Sequence, residues 1–312
     1  MASINTIDKP EISLTYPVQN VTVGQSAQTL QIPMKRSQFV LGYDISVNLG
    51  AISGTTTATS WTVSLENPFV SAVEVTADST TMFKSDTYMS EVYQGLFTGG
   101  LSDGSSFRAD IADVDLRTGK EIQVTGMPSY QFTDVQMQLT IPSIGTLTGA
   151  TSSTAQGTAQ IYISERDISR SLVDFKPIRH RMLETSTSLS VTGENDLPSF
   201  LSQSNIYKAV MLFASTGQNF TSGSNSAISK VELELNDTLK IVDSYFPNLQ
   251  QKAKAIFKQS MPTGILPIVW MPNADISQAL NITNTQAVKS VNMKLTSTTN
   301  PVYLKMLQSV YS

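Results

Sequence analysis

The sequence lacks cysteine, a basic arm and any long hydrophobic run. With no cysteine among its 312 residues, disulfide bonds and thiolate chemistry are excluded. The start MASINTIDKP has neither the basic nor the apolar region of a signal peptide, and no apolar run is long enough to span a bilayer. The chain also has no Lys/Arg stripe of the kind that neutralises phosphates. These absences predict a soluble product, made in the cytoplasm, that does not bind nucleic acid directly.

Charge is scarce as well. Charged residues make up 15% of the chain, against roughly 25% in average soluble domains. The scarcity is uneven: residues 1–156 carry 7 Lys and Arg against 14 Asp and Glu, a net −7, and residues 157–312 carry 14 against 11, a net +3. Ser and Thr are abundant, at 40 and 35 residues. A polar surface with little charge is typical of β-rich subunits that pack against neighbours.

Alternating apolar residues predict strands along most of the chain. The pattern is strongest in QFVLGYDISVNLG, where the odd-numbered residues from Phe39 to Leu49 are apolar and should face one core. The same period of two recurs near residues 12–16, 30–34, 61–65, 135–141 and 231–235.

Two segments have the period of an amphipathic helix instead. In SDTYMSEVYQGLFTGG the apolar residues recur at helical spacing before Gly99 and Gly100, which predicts a helix over about 86–97. In FPNLQQKAKAIFKQ, Pro247 is suited to a first helical turn and lysines occupy the C-terminal part, which predicts a second helix over about 247–258.

Four landmarks recur in the same order. The hexapeptide VQMQLT at 135–140 returns as VNMKLT at 291–296. We also pair FVLGYDIS with YKAVMLFAS, TVSLEN at 62–67 with VELELN at 231–236, and the first predicted helix with the second. The chain is therefore interpreted as two copies of one β-rich unit, each interrupted by one helix. We place the domains at residues 1–167 and 168–312.

This pattern resembles the double jelly-roll major capsid proteins of tailless icosahedral viruses with an internal membrane, a lineage that includes the adenovirus hexon. Two consecutive all-β units, a helix in the later part of each, no cysteine and no basic arm carry the resemblance. It implies an all-β fold of two tandem eight-stranded antiparallel jelly-roll sandwiches, each with one inserted helix. The residues alone indicate a tandem β-sandwich protein.

The resemblance further implies a structural role without enzymatic activity, cofactor or metal. The expected partners are two more copies in a trimer, neighbouring trimers, penton or minor coat proteins, and the internal viral membrane; the expected location is the virion. A carbohydrate-binding or adhesive fibre protein is the alternative, and it would use Trp61 and Trp270 as exposed sugar platforms.

Catalytic motifs are weak. GLSDG at 100–104 fits the G-x-S-x-G pattern with Ser102 as the nucleophile, but a predicted helix precedes it where a strand is required. The single histidine, His180, lies between Arg179 and Arg181, whose charges disfavour an imidazolium. Glu232 and Glu234 share one strand face, as glycosidase carboxylates could, although we interpret that face as solvated.

Two charged clusters remain. Asp110, Asp113 and Asp115 resemble part of a calcium loop, but Arg117 stands where another oxygen ligand is required, so exposed acids before an RTGK turn are the preferred interpretation. In FKPIRHRM, Lys176, Arg179, His180 and Arg181 form a basic patch. A solvated connector is the preferred interpretation, and a contact with lipid head groups or an acidic neighbour is the alternative. We expect no catalytic, cofactor-binding or metal-binding residue.

Overall fold

A computed structural model describes residues 10–54, 58, 60–98, 104–114, 116, 119–152, 154–174, 176–198, 200–202, 205–271, 275, 278–282, 288 and 290–311. The chain divides into two compact units, Met1–Met182 and Leu183–Ser312. The expected boundary at 167/168 falls at the end of the last strand of the first unit, before the connecting segment. Among the described residues, no helix is both long and apolar enough to cross a bilayer.

The first unit is built from two antiparallel sheets. Its strands are β1 (Glu11–Thr15), β2 (Gln19–Val23), β3 (Gln28–Pro33), β4 (Phe39–Ser53), β5 (Ala72–Ala77), β6 (Thr80–Asp86), β7 (Ser106–Asp110), β8 (Met127–Pro128), β9 (Val135–Ile141) and β10 (Gln156–Ile168). One sheet has the order β1-β10-β4-β7, with β2 beside β10 and β8 beside β4; within this unit the other runs β3-β9-β5-β6. Without the short strands β2 and β8, successive strands change sheet at every step except the β5–β6 hairpin, as in a jelly roll.

The second unit repeats this arrangement. Its strands are β11 (His180–Leu189), β12 (Gly193–Leu197), β13 (Ile206–Ser215), β14 (Ile228–Leu235), β15 (Leu239–Tyr245), β16 (Ile265–Val269), β17 (Leu280–Asn281), β18 (Val291–Ser297) and β19 (Val302–Tyr311). The sheet orders are β11-β19-β13-β16, with β17 beside β13, and β12-β18-β14-β15. Both units therefore have eight principal strands in one topology, and the predicted fold class is confirmed.

Both predicted helices are present at equivalent places. Helix α1 (Thr87–Thr98) joins β6 to β7; two shorter helices of the first unit, α2 (Gly119–Val124) and α3 (Ile144–Thr148), have no predicted counterpart. Helix α4 (Phe246–Phe257) joins β15 to β16. It begins with a proline in its first turn and ends at Lys258, which has left-handed backbone angles. Each helix buries its apolar face, α1 through Met89 and Val92 and α4 through Leu249 and Ala253.

Three of the four repeat pairings are structurally equivalent. VQMQLT forms β9 and VNMKLT forms β18, and FVLGYDIS and YKAVMLFAS lie in β4 and β13. The fourth pairing is wrong. TVSLEN lies in a loop, and the counterpart of β14 is β5, which starts at Ala72. The alternation at residues 61–65 therefore does not form a strand, because Trp61 instead donates from its indole nitrogen to the Gly50 carbonyl at 2.9 Å.

Alternation predicted the interior faces only in part. In β4, Tyr43 and Ile45 are buried, but a register shift against β10 beside Leu41 changes the face that the strand presents, and Phe39 and Leu41 belong to a separate apolar cluster with Ala112 and Ile168. The far end of β4 is only partly buried. In the second unit one apolar cluster joins Val231, Leu233 and Leu235 to residues of α4 and β18. Burial of such rows fixes the strand register, since a slip by one residue would expose the whole set.

Candidate interaction surfaces and ionic clusters

His180 has a structural position. Its side chain is buried, and Nδ1 lies 3.0 Å from the carbonyl oxygen of Ile111. Its backbone N–H donates to the Thr125 carbonyl at 3.3 Å. Since a carbonyl can only accept, Nδ1 carries the proton of this bond. The preferred interpretation of the patch as a solvated connector is therefore wrong for His180, although Lys176 and Arg179 are exposed. Ser102 lies outside the described residues.

Asp110 belongs to an ion-pair network, and the interpretation of an exposed acidic strand is wrong for Asp110 and Asp113, which are both buried. Asp110 binds the guanidinium of Arg166 and lies 3.5 Å from that of Arg108. Asp44 lies 3.4 Å from the Nε atoms of both arginines. Asp115 lies outside the described residues. Within the part of the chain that the structure describes, no group of three or more acids or histidines could hold a metal ion.

The sequence predicted that Glu232 and Glu234 lie on a solvated face. This prediction is wrong, because both are buried under lysine side chains. Lys240 Nζ lies 3.2 Å from Glu232 and Lys294 Nζ lies 3.1 Å from Glu234, and Lys230 also binds Glu232. Hydrogen bonding by Lys230 lowers the pKa of Glu232. A glycosidase acid requires a raised pKa, so the pKa of Glu232 is shifted in the opposite direction. The network instead holds β14 to β15 and β18.

A second cationic cluster was only partly visible in the sequence. Lys35 and Arg36 line an open cavity of about 550 Å³ together with Tyr130 and Phe132. The guanidinium of Arg170 lies 4.6 Å from the centroid of the Tyr130 ring, and that of Arg179 lies 5.4 Å from the Phe132 ring. We call the four cations and two aromatic rings the basic surface.

The basic surface combines charge with exposed apolar groups. Leu172 and Ile178, in the segment that carries Arg170 and Arg179, are 37% and 41% exposed. Acids also lie near: Asp78 accepts from the backbone N–H groups of Thr133 and Asp134. Sequence reasoning found Arg179 but missed Lys35, Arg36 and Arg170, because residues more than 130 positions apart are brought together only by the fold.

The tryptophans are not exposed platforms. Trp61 is half-buried and packs edge-on against Phe69, with ring centroids 5.8 Å apart. Trp270 packs against Tyr207 at 6.4 Å. Large aromatic rings in such contacts stabilise sandwich interiors, so the feature that an adhesive sugar-binding protein requires is not found at these positions.

Solved structures provide the comparison for the fold. The chain is similar to the STIV MCP, from Sulfolobus Turreted Icosahedral Virus, with 14% identity and a TM-score of 0.70 over 97% of this chain and 96% of that one. It is also similar to the major capsid protein P2 from bacteriophage PM2, with 11% identity and a TM-score of 0.63 over 94% and 98%. A PBCV-1 virus capsid chain matches with 11% identity and a TM-score of 0.62 over 99% and 95%.

These similarities define the fold class. No protein-family model and no curated sequence matches the chain. The fold is the double jelly roll of these viral capsid proteins, as the resemblance in the sequence implied, and it extends over nearly the whole length of each compared chain.

Proposed function

We propose that the protein is a structural subunit of an icosahedral viral shell, a major capsid protein located in the virion. The observation that carries this proposal is the repeated topology: two eight-stranded jelly rolls, each with a helix between its fifth and sixth principal strands. Capsid proteins with the same fold align over 94% or more of the chain. Neither His180 nor the pair Glu232 and Glu234 has the environment of a catalytic group, which supports a role without enzymatic activity.

The assembly unit of this proposal is a homotrimer that presents six jelly rolls as a pseudo-hexagon. Cyclic symmetry closes such a ring with one type of contact. A chain with only 15% charged residues is suited to large permanent interfaces, from which charges are depleted. Trimers then meet laterally, and penton or minor coat proteins complete the shell. The acidic first half and the mildly basic second half favour contacts between unlike faces.

We predict that the purified protein is a trimer of about 102 kDa, three times 33.9 kDa. Raising the salt concentration should weaken association between trimers, because exposed charges are screened within about 8 to 10 Å at ordinary salt, and should leave the trimer intact. Light scattering after size exclusion at low and high salt measures both. A monomer at micromolar concentration in both buffers would contradict the capsid proposal.

The basic surface is proposed to contact the internal viral membrane. Clustered Lys and Arg attract anionic head groups, and aromatic rings with exposed aliphatic side chains are suited to the lipid interface. Lys35, Arg36, Arg170 and Arg179 supply the charge, and Leu172 and Ile178 lie exposed beside two of them.

We predict that replacing both Lys35 and Arg36 by alanine weakens binding to phosphatidylserine vesicles about 30-fold, since each cation near an anionic bilayer contributes about 1 kcal/mol. Co-sedimentation with phosphatidylserine and phosphatidylcholine vesicles measures the effect. The matched control removes the same charge from the exposed face of α4, through Lys252→Ala with Lys254→Ala. Equal binding by all three proteins would contradict the membrane contact. If the Lys35 and Arg36 double variant binds vesicles normally but its trimers no longer associate laterally, the basic surface contacts an acidic neighbouring subunit and not the membrane.

A further inference from the structure

Strand β10 carries two carboxyl groups on the inner face of the first sandwich. Its odd-numbered residues form one buried row, which begins with Ala159, Ile161 and Ile163 and continues with Glu165 and Asp167. Both acidic residues have 0% exposure. Carboxyl groups are almost never fully buried unless they are paired, and these two belong to none of the ionic clusters described above.

Few groups face this pair. The hydroxyl of Tyr16 donates a hydrogen bond to Glu165, and Tyr43 lies directly across from Glu165 in the register of β4 and β10. The charge of Lys35 acts on both carboxyl groups; its ammonium lies 5.2 Å from the Tyr16 ring centroid and donates to the Thr15 carbonyl at 3.3 Å. Arg166, between the two acidic residues, binds Asp110 instead.

Several oxygens of the cluster receive no hydrogen bond when both carboxyl groups are ionised. They are Oε1 of Glu165, both carboxyl oxygens of Asp167, and the hydroxyl of Tyr43. Glu165 and Asp167 are within hydrogen-bonding reach of each other, and that bond requires a proton on one of them. An unpaired charge in an apolar interior is strongly destabilising, and two carboxylates at one site cannot both ionise readily. A proton on one carboxyl removes one charge and supplies a donor for the other, without opening the sandwich.

We propose that Glu165 and Asp167 form a buried proton-binding pair, which holds one proton in the folded first unit, so that this unit loses stability as the pH rises until the proton is released in alkaline solution. This inference is independent of the capsid role, because it concerns the interior of one jelly roll. Tyr16 and Tyr43 stay neutral throughout, since burial raises the pKa of both hydroxyls.

The electrostatics give the direction of the effect. Burial, and then the neighbouring charge of Glu165, raises the pKa of Asp167 from 3.8 to about 9; burial also raises the pKa of Glu165. Between pH 3.8 and about pH 9, the two pKa values of Asp167, the folded chain keeps a proton that the unfolded chain has lost. Stability therefore falls as pH rises from about 4 to about 9, and the unfolding constant rises about tenfold per pH unit from this proton.

The test compares denaturant unfolding of the intact protein and Asp167→Asn, which cannot ionise, between pH 5 and 8. The ratio of their unfolding constants should change about tenfold per pH unit. Glu11→Gln is the control: Glu11 is exposed on the neighbouring strand β1, opposite Ile168, and its variant should follow the wild type. A ratio that does not change with pH would overturn the proposal.

A second measurement needs no variant. Infrared spectroscopy of the folded wild-type protein at pH 7 should show the C=O band of a protonated carboxylic acid, which disappears as the pH passes about 9. Its absence at pH 7 would overturn the proposal even if Asp167→Asn did not fold. Repeating the unfolding measurements with calcium chloride distinguishes proton binding from metal binding. If calcium removes the pH dependence, a cation occupies the pair in place of the proton, and the proposal is wrong.

Discussion

Replacing Arg166 by methionine is expected to lower the free energy of unfolding of the first unit by about 3 kcal/mol, because loss of one partner from a buried ion pair leaves a charge without compensation. That charge is on Asp110, whose side chain is 3% exposed, and Arg166 itself is 17% exposed. Arg108 is 3.5 Å from Asp110 and retains part of the stabilisation, which places the effect at the lower end of the usual range of about 3–5 kcal/mol.

Lys84→Met is the matched control for Arg166. Lys84 forms a comparable ion pair with Glu74 at 3.3 Å, but the two side chains are 54% and 26% exposed. Exposed pairs contribute about 0–1 kcal/mol because water and salt screen them. Denaturant unfolding of both variants measures the two losses in the free energy of unfolding. Equal small losses would mean that the Asp110 network is effectively solvated.

Phe246→Ala is expected to cost about 3–5 kcal/mol in the second unit, the usual range for removing a buried phenylalanine. Phe246 is the first residue of α4, has 0% exposure and lies in the apolar cluster with Val231 and Leu233. Its loss leaves a cavity where the helix meets the sandwich. The proposed trimer requires folded subunits, so we also expect less of it at 37 °C.

Ile256→Ala, on the same helix, provides the control. Ile256 is 40% exposed, so its truncation removes little buried area and should change stability by less than about 1 kcal/mol. Thermal unfolding and light scattering measure both variants. A Phe246→Ala protein as stable as the Ile256→Ala protein would contradict the packing of α4 against the sandwich.

The sequence predicted the elements whose pattern is local. Alternation at Val231, Leu233 and Leu235 identified the inner face of β14 because side chains of a strand point alternately to its two sides. The stripe of α1 and the terminal signals of α4 identified both helices for a similar reason. The echo between VQMQLT and VNMKLT correctly marked equivalent strands, because both need the same buried row of Val, Met and Leu.

Pattern alone failed where a partner decided the outcome. Residues 61–65 alternate, yet Trp61 binds the carbonyl of Gly50 and packs on Phe69 in a loop. Glu232 and Glu234 alternate with apolar residues as solvated acids would, but lysines from β15 and β18 cover them. A strand face appears solvated in the sequence whether it meets water or oppositely charged neighbours, so periodicity cannot distinguish the two.

By itself, the sequence determined the class of the protein: two β-rich units with one principal helix each, little charge and no cysteine chemistry. Those properties depend on composition and on neighbours within a few residues. Only the tertiary structure decided which distant charges meet. It joined Lys35 and Arg36 to Arg170 and Arg179, paired Arg166 with Asp110, and enclosed Glu165 and Asp167. Charge energies depend on distance and burial in space, and neither quantity can be read from positions along the chain.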